Sequence, residues 1–238
     1  MAAQALSIAA NLQFLRERIA RSAERSHRVP ADVKIVAISK TFSAAAIRAA
    51  YDAGVRDFGE NRVQEWESKR AQLAGLADMG ATWHMIGHVQ SNKAARVAQL
   101  FHRVDSLDSL SLARKLDSAA AGEKKILPVL IEVHLSDEAS KTGVTESELA
   151  ALAEGTSSLA QLDLQGLMTI PPYFEDTERV RPYFRKLREL RDALGAKLGR
   201  TLPVLSMGMS QDFEIAIEEG ATEVRIGTAI FGDREQKG

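Results

Sequence analysis

Lys40, in the stretch VKIVAISKTFS at residues 33–43, is the first side chain in this sequence placed to do covalent chemistry. Val33, Ile35, Val36, Ala37 and Ile38 read as a buried β-segment, and Lys40 falls where that segment should end. A lysine there can simply snorkel to water. It can also act as a nucleophile, because burial at an apolar strand end favours the neutral amine that condenses with aldehydes. A second set of candidates lies near the C-terminus. In LSMGMSQDFEIAIEEG, residues 205–220, Ser206, Gly208 and Ser210 run straight into a predicted helix, whose N-terminus carries positive partial charge. In VRIGTAIFG, residues 224–232, Arg225 is followed by Gly227 and Thr228, which offer backbone N–H groups and a hydroxyl. Glycines let a backbone approach an anion closely, so both segments suit a phosphate. Singly, each has a plainer use: Gly227 in strand packing, Ser210 as a helix cap.

Those residues need elements to position them. Short apolar segments recur at 33–39, 57–60, 83–87, 103–107, 128–135, 164–170, 203–209 and 222–232. Helical stretches separate them. SAAAIRAAYDAG opens on a capping serine and closes on Gly54, and SQDFEIAIEEG repeats the design from Ser210 to Gly220. In 176–199, Val180, Phe184, Leu187, Leu190 and Leu194 share one face, with Pro182 near the start, where it does not kink the rod. A further amphipathic helix is expected over about 4–26. Eight strands alternating with helices predict a (β/α)8 barrel, a TIM-type α/β fold, over about 33–232, in one domain spanning 1–238. A doubly wound open sheet is the competing arrangement. In a barrel, functional side chains collect at the C-terminal strand ends, and a phosphate site commonly forms after strands seven and eight. Strand one closes against strand eight, so Lys40 would neighbour that phosphate site. An aldehyde carrying a phosphate fits both features, and pyridoxal 5′-phosphate is the cofactor with that pair of groups.

Composition narrows the alternatives. Lys and Arg number 31 against 32 Asp and Glu, leaving no net field to recruit nucleic acid or a membrane. The absence of cysteine removes disulfides, thiolate metal sites and a cysteine nucleophile. No apolar run approaches a membrane span, and the N-terminus lacks a signal-peptide pattern, so a soluble cytoplasmic protein is expected. His84 and His88 stand four apart in WHMIGHVQSNK, but across a strand and its loop rather than on a helix, which argues against a metal pair. His134 closes the fifth strand, as pocket lining or as plain loop. Lys93 and Arg96 in SNKAARVAQ, and the basic RVRPYFRKLRELR, read as solvated helix faces.

Taken together, VAISKTFS, FGENRVQEWESK, WHMIGHVQSNK, SKTG, GLMTIPP and LSMGMSQDFEIAIEEGATEVRIGTAIFG resemble the pyridoxal-phosphate homeostasis proteins, relatives of the alanine racemase N-terminal barrel. The likeness runs from about Val33 to Gly232. It implies an internal aldimine on Lys40, Arg225 facing the pyridine nitrogen, and phosphate contacts from Gly227, Thr228 and the Ser206–Ser210 loop. It also implies Asn61 near the ring and imine, and Met168 packed on the ring. Met85 stands where the family often has an aromatic, away from these positions. The function implied is intracellular homeostasis of the cofactor: a monomer that buffers it or passes it to apoenzymes, without robust catalysis. Physical chemistry agrees on the last point. An arginine only donates, so a ring nitrogen facing it stays unprotonated and the ring is a weak electron sink. Two-base racemases of this barrel type draw a tyrosine from a second domain, which is not expected in a chain ending at Gly238. Tyr51 and Tyr183 read as packing residues and Tyr173 as the candidate at the mouth. The alternatives are a slow amino-acid racemase working from one base and a Schiff-base aldolase. Lys141 is the next lysine to consider should Lys40 not form the imine.

Overall fold

The computed structural model describes residues 2–135 and 142–232. Eight parallel strands close a barrel in chain order: β1 (Lys34–Ile38), β2 (Asp57–Glu60), β3 (Thr82–Met85), β4 (Arg103–Leu107), β5 (Leu127–Glu132), β6 (Leu162–Met168), β7 (Val204–Ser206) and β8 (Glu223–Ile226). The seam is made by β8 against β1, with Val36 opposite Arg225. The open-sheet alternative is therefore excluded.

Helices α2 (Ala44–Asp52), α3 (Val63–Arg70), α4 (Ala94–Leu100), α5 (Leu110–Gly122), α6 (Glu146–Ser157), α7 (Arg181–Leu198) and α8 (Phe213–Glu218) follow the first seven strands. Local chemistry sets their ends. The Ser43 hydroxyl accepts from Ala46 N–H to start α2, and Gly54 follows that helix in the left-handed region at φ 96°. Pro182 lies in the first turn of α7, where its missing N–H costs nothing. The N-terminal helix α1 (Ala2–Arg25) buries Ile8, Leu12, Leu15, Ile19 and Ala23 at helical spacing.

Two sequence expectations shift. The segment 222–232 is strand only as far as Ile226. Beyond it, Ile230 and Phe231 donate to the Gly227 carbonyl and form the single turn α9 (Thr228–Phe231). So short a helix cannot cover the seam. The long α1 packs against α2, α8 and α9 and takes the place a full eighth helix would fill. Asn11 fastens it by donating to the Ile230 carbonyl at 2.9 Å. The second shift concerns Ser210, which does not cap α8. That helix begins three residues later, and the Asp212 carboxylate before it accepts from Met209 N–H.

The basic face of α7 is also more than solvated. Arg181, Arg185 and Arg188 reach Glu219, and Arg181 reaches Glu218 as well, tying α7 to the end of α8. Arg96 is exposed and pairs with Glu67 of α3. No helix among the described residues is long and apolar enough to cross a membrane.

Candidate functional site

At the C-terminal end of the barrel a cavity of about 440 Å3 opens between the loops after β1, β6, β7 and β8. Lys40, Ser210, Arg225, Gly227 and Thr228 all line it. The remaining wall is largely apolar, and Ile170, Tyr173 and Met209 form an exposed rim. Arg225 is buried, donating from one guanidinium nitrogen to Ser206 Oγ at 2.9 Å and from the other to the Thr169 carbonyl at 2.7 Å. Burial pulls its pKa below the usual arginine value, against the attraction of Asp105, Asp212, Glu132 and Glu223. Ser210 receives a long hydrogen bond from Ala229 N–H, 3.4 Å, which joins the β7 loop to α9. Gly208 is required by that loop. Its φ is 91°, and an added Cβ would lie 2.5 Å from Ala216 Cβ.

Lys40 itself is half-buried, and the turn carrying it is held from behind. Ser39, one residue earlier, is fully buried and donates to Glu60 Oε1 at 2.7 Å. Thr41, one residue later, takes an uncommon left-handed conformation at φ 70°, and its N–H donates to Glu65. Lys69 joins the two sides. Its ammonium donates to the Ser39 carbonyl at 3.0 Å, to Glu60 at 2.9 Å and to Glu65 at 2.8 Å. Burial pushes the Glu60 carboxyl above its ordinary value, and Lys69 offsets part of that. Burial acts upward on Glu65 too, but Lys69 and Thr41 N–H outweigh it and hold the carboxyl low.

Residues 7–235 match the family described as alanine racemase, N-terminal domain. Two curated relatives carry the name pyridoxal phosphate homeostasis protein. One, from Aquifex aeolicus, is 46% identical over 92% of this chain and 95% of its own length. The other, from Pseudomonas aeruginosa, is 45% identical over 96% of each. The chain belongs to the pyridoxal phosphate homeostasis protein family. Among solved structures, PipY from Synechococcus elongatus with PLP bound superposes with a TM-score of 0.83 at 36% identity, covering 94% of this chain and all of PipY.

The remaining predicted residues of this homeostasis-family chain, Ser206, Met168 and Asn61, do not line the cavity. Ser206 sits fully buried behind Arg225 and accepts its hydrogen bond, so of the two loop serines Ser210 is the one facing the cavity. Met168 is fully buried at the end of β6. Asn61 is half-buried beside the loop after β3, where a Cβ on Gly87 would strike its carbonyl at 2.4 Å. Of the tyrosines, Tyr173 stands on the rim as expected, Tyr51 donates to the Met79 carbonyl and Tyr183 packs on Phe174. Lys141 lies outside the described residues.

The histidines separate. His88 is exposed and bonds Asp108 at 2.9 Å. His84 belongs to a buried cluster near the opposite, N-terminal end of the barrel, with Asp57 at 3.2 Å and Asp105 at 3.5 Å. His84, Asp105 and Glu223 converge closely enough to suggest a metal. Arg103 answers that suggestion by bonding both Asp105 and Glu223, which puts a fixed positive charge among the acids. Asp105, midway along β4, is therefore structural. Sequence reasoning overlooked two acids. Glu132 is buried at the end of β5, pushed up by burial and bonded by Thr142 at 2.8 Å, and Asp212 on the cavity wall is likewise pushed up by burial. The signal for Glu132 was present in PVLIEVHL, as a single acid inside an apolar strand.

Proposed function

We propose that this chain binds pyridoxal 5′-phosphate in the barrel-mouth cavity, fixes it to Lys40, and buffers it or passes it to apoenzymes, as a monomer without a robust catalytic cycle. The observation that carries the reading is the convergence of Lys40, Arg225, Ser210, Gly227 and Thr228 on one cavity in a member of this family. The site fits the group. Its volume lies within the roughly 300–1,000 Å3 of small-molecule pockets, and its donors include the Lys40 amine, the Ser210 and Thr228 hydroxyls and the Arg225 guanidinium. Gly227 leaves space, since an added Cβ would stand among the lining groups, 3.6 Å from Ile38 Cβ. When bound, the cofactor supplies an aldehyde that an amine can capture and a phosphate that donors can hold.

Lys40 presents that amine from the end of β1. Ser210 and Thr228 present hydroxyls to the phosphate from the loops after β7 and β8. Arg225, with two of its donors committed to Ser206 and Thr169, reaches the cavity as a donor and has no lone pair with which to accept. Apolar side chains on the β6 loop shield the site from stray water and amines. The exposed position of Tyr173 on the rim supports a second reading, slow racemisation with Lys40 on one face and Tyr173 or water opposite.

Loading the protein with pyridoxal phosphate should produce the visible absorption of a lysine imine. Borohydride should bleach it and leave the cofactor's mass on the Lys40 peptide. Lys40→Ala should lose that adduct while remaining folded, because the side chain is half-exposed and adds little to the core. An undiminished adduct in Lys40→Ala would overturn the assignment. Rapid racemisation of alanine by the unaltered protein, read by chiral chromatography, would instead promote the racemase.

A further inference from the structure

The network behind Lys40 is built at a cost that the fold alone does not explain. Lys69 is nearly buried, with a side-chain exposure of 10%, and its three bonds use all three ammonium donors. Withdrawing an ammonium and the Glu60 carboxylate from water is expensive, and a pair of apolar side chains would serve packing as well. What the charges achieve is local. The Ser39 carbonyl and the Thr41 N–H belong to the residues on either side of Lys40. Both are tied to this one cluster, the first directly by Lys69 and the second through Glu65. Directly after Lys40 the chain turns through the left-handed Thr41, a conformation that costs a threonine energy and persists where its surroundings enforce it. The clamp comes from α3, while the turn belongs to the β1–α2 loop, so the bonds fix one element against another.

We propose that Lys69 is a positioning residue for Lys40: held by Glu60 and Glu65, its ammonium locks the Ser39–Thr41 turn so that the Lys40 amine meets an aldehyde in the cavity. The inference rests on the cofactor reading above. The step it assists is a balanced condensation. The neutral amine adds to the aldehyde carbon, the C=N bond forms, and the aldehyde oxygen leaves as water with two protons from the amine. No oxidant or reductant is involved. Lys69 touches neither partner in that step. It acts through the backbone, by keeping the amine within the narrow range of positions that makes attack fast.

The test compares two ligands on the full chain. Pyridoxal 5′-phosphate reports covalent capture, followed as the rate of borohydride-fixable adduct on the Lys40 peptide. 4′-Deoxypyridoxine 5′-phosphate keeps the ring and phosphate but lacks the aldehyde, so its affinity reports the pocket without Lys40 chemistry. In Lys69→Met, capture should slow by about 10- to 100-fold, the range expected for a small misplacement of a reacting group. Analogue affinity should stay within about twofold of the parent, since the clamp makes none of the ring or phosphate contacts. Because that variant leaves Glu60 buried without its cation, Glu65→Ala provides a second measurement. It removes the Thr41 N–H partner from a partly exposed position, and capture should again fall while analogue binding holds. Unchanged capture in Glu65→Ala and in any folded Lys69→Met would overturn the proposal. Capture and analogue affinity falling together would also overturn it, by showing that Lys69 supports the whole pocket. Failure of the parent protein to form any Lys40 adduct would instead sink the cofactor reading, which separates the two claims.

Discussion

At the scale of single residues, the mouth of the barrel divides its labour between groups that present chemistry and groups that hold them. Thr228 presents: it is exposed, lines the cavity and follows the strand end directly. Replacing it with valine keeps the shape and removes the hydroxyl. Binding of pyridoxal phosphate should weaken by roughly 1.5–3 kcal/mol, the value of a hydrogen bond to a charged group. Pyridoxal, which lacks the phosphate, should bind almost as before. Parallel titration of the two ligands checks this, and an equal loss for both would make Thr228 structural. Ser206 holds: it is fully buried and accepts from Arg225, so Ser206→Ala should act on both ligands together through a loosened guanidinium. The contrast between these hydroxyls follows from burial and partner. SMGMS and RIGT read alike as phosphate-friendly segments in the sequence.

At the scale of elements, the loop between β7 and α8 and the turn after β8 form two sides of the site, and each contains a glycine with a different purpose. Gly208 sits at φ 91°, with Ala216 Cβ and Phe213 Cα at 2.5 and 3.0 Å from where its own Cβ would be. Gly208→Ala combines backbone strain with a clash against α8 and should destabilise the protein by about 1–3 kcal/mol or more, seen as a lower urea midpoint. Gly227→Ala meets nothing nearer than Ile38 Cβ at 3.6 Å. It should cost less stability and register mainly as weaker ligand binding. If Gly227→Ala proves the more destabilising of the two, this division fails. Much of this architecture was legible beforehand. The eight strands, the caps at Ser43 and Gly54, and the convergence of Lys40 with Gly227 and Thr228 follow from period, turn chemistry and barrel closure. What was not legible depends on distance in space. Nothing in the apolar run 229–231 distinguishes the last part of a strand from one helical turn, and the bond from Ile230 to the Gly227 carbonyl decides it. The Lys69 clamp and the role of α1 beside a shortened α9 likewise need residues far apart in the chain to meet.

At the scale of the whole molecule, the barrel encloses a charged cluster as well as apolar side chains, and its stability should carry that signature with pH. Asp57, His84, Arg103, Asp105 and Glu223 are held together near the N-terminal strand ends, with Lys34 alongside and Thr82 bonded to Asp57. Burial is the largest effect on His84 and acts to lower its pKa, with Arg103 adding to it. The nearby Asp105 and Asp57 carboxylates outweigh both and leave the imidazole raised. Asp105 is affected most by burial, which pushes it up, yet Arg103 and His84 hold it far below the usual carboxylate range. The signs are opposite. A raised histidine contributes stability fully below its unfolded value of about 6.5 and loses it as pH rises through the folded value. A depressed aspartate contributes above its unfolded value of about 3.9 and loses it as pH falls. Glu60, Glu132 and Asp212, all raised by burial, also lose stability as pH rises, but from their lower ordinary range upward and without contact with His84. His84→Gln can accept from and donate to the same neighbours without titrating, so comparison with the parent isolates the imidazole. Urea unfolding of both proteins across neutral pH should show the parent losing stability on the alkaline side of about 6.5, while the variant stays flatter there and has a shallower acid limb, because Asp105 and Asp57 lose the imidazolium that helps to depress them. Equal slopes in the two proteins above that pH would mean that His84 is neutral in the folded barrel and that Arg103 alone balances the acids around it.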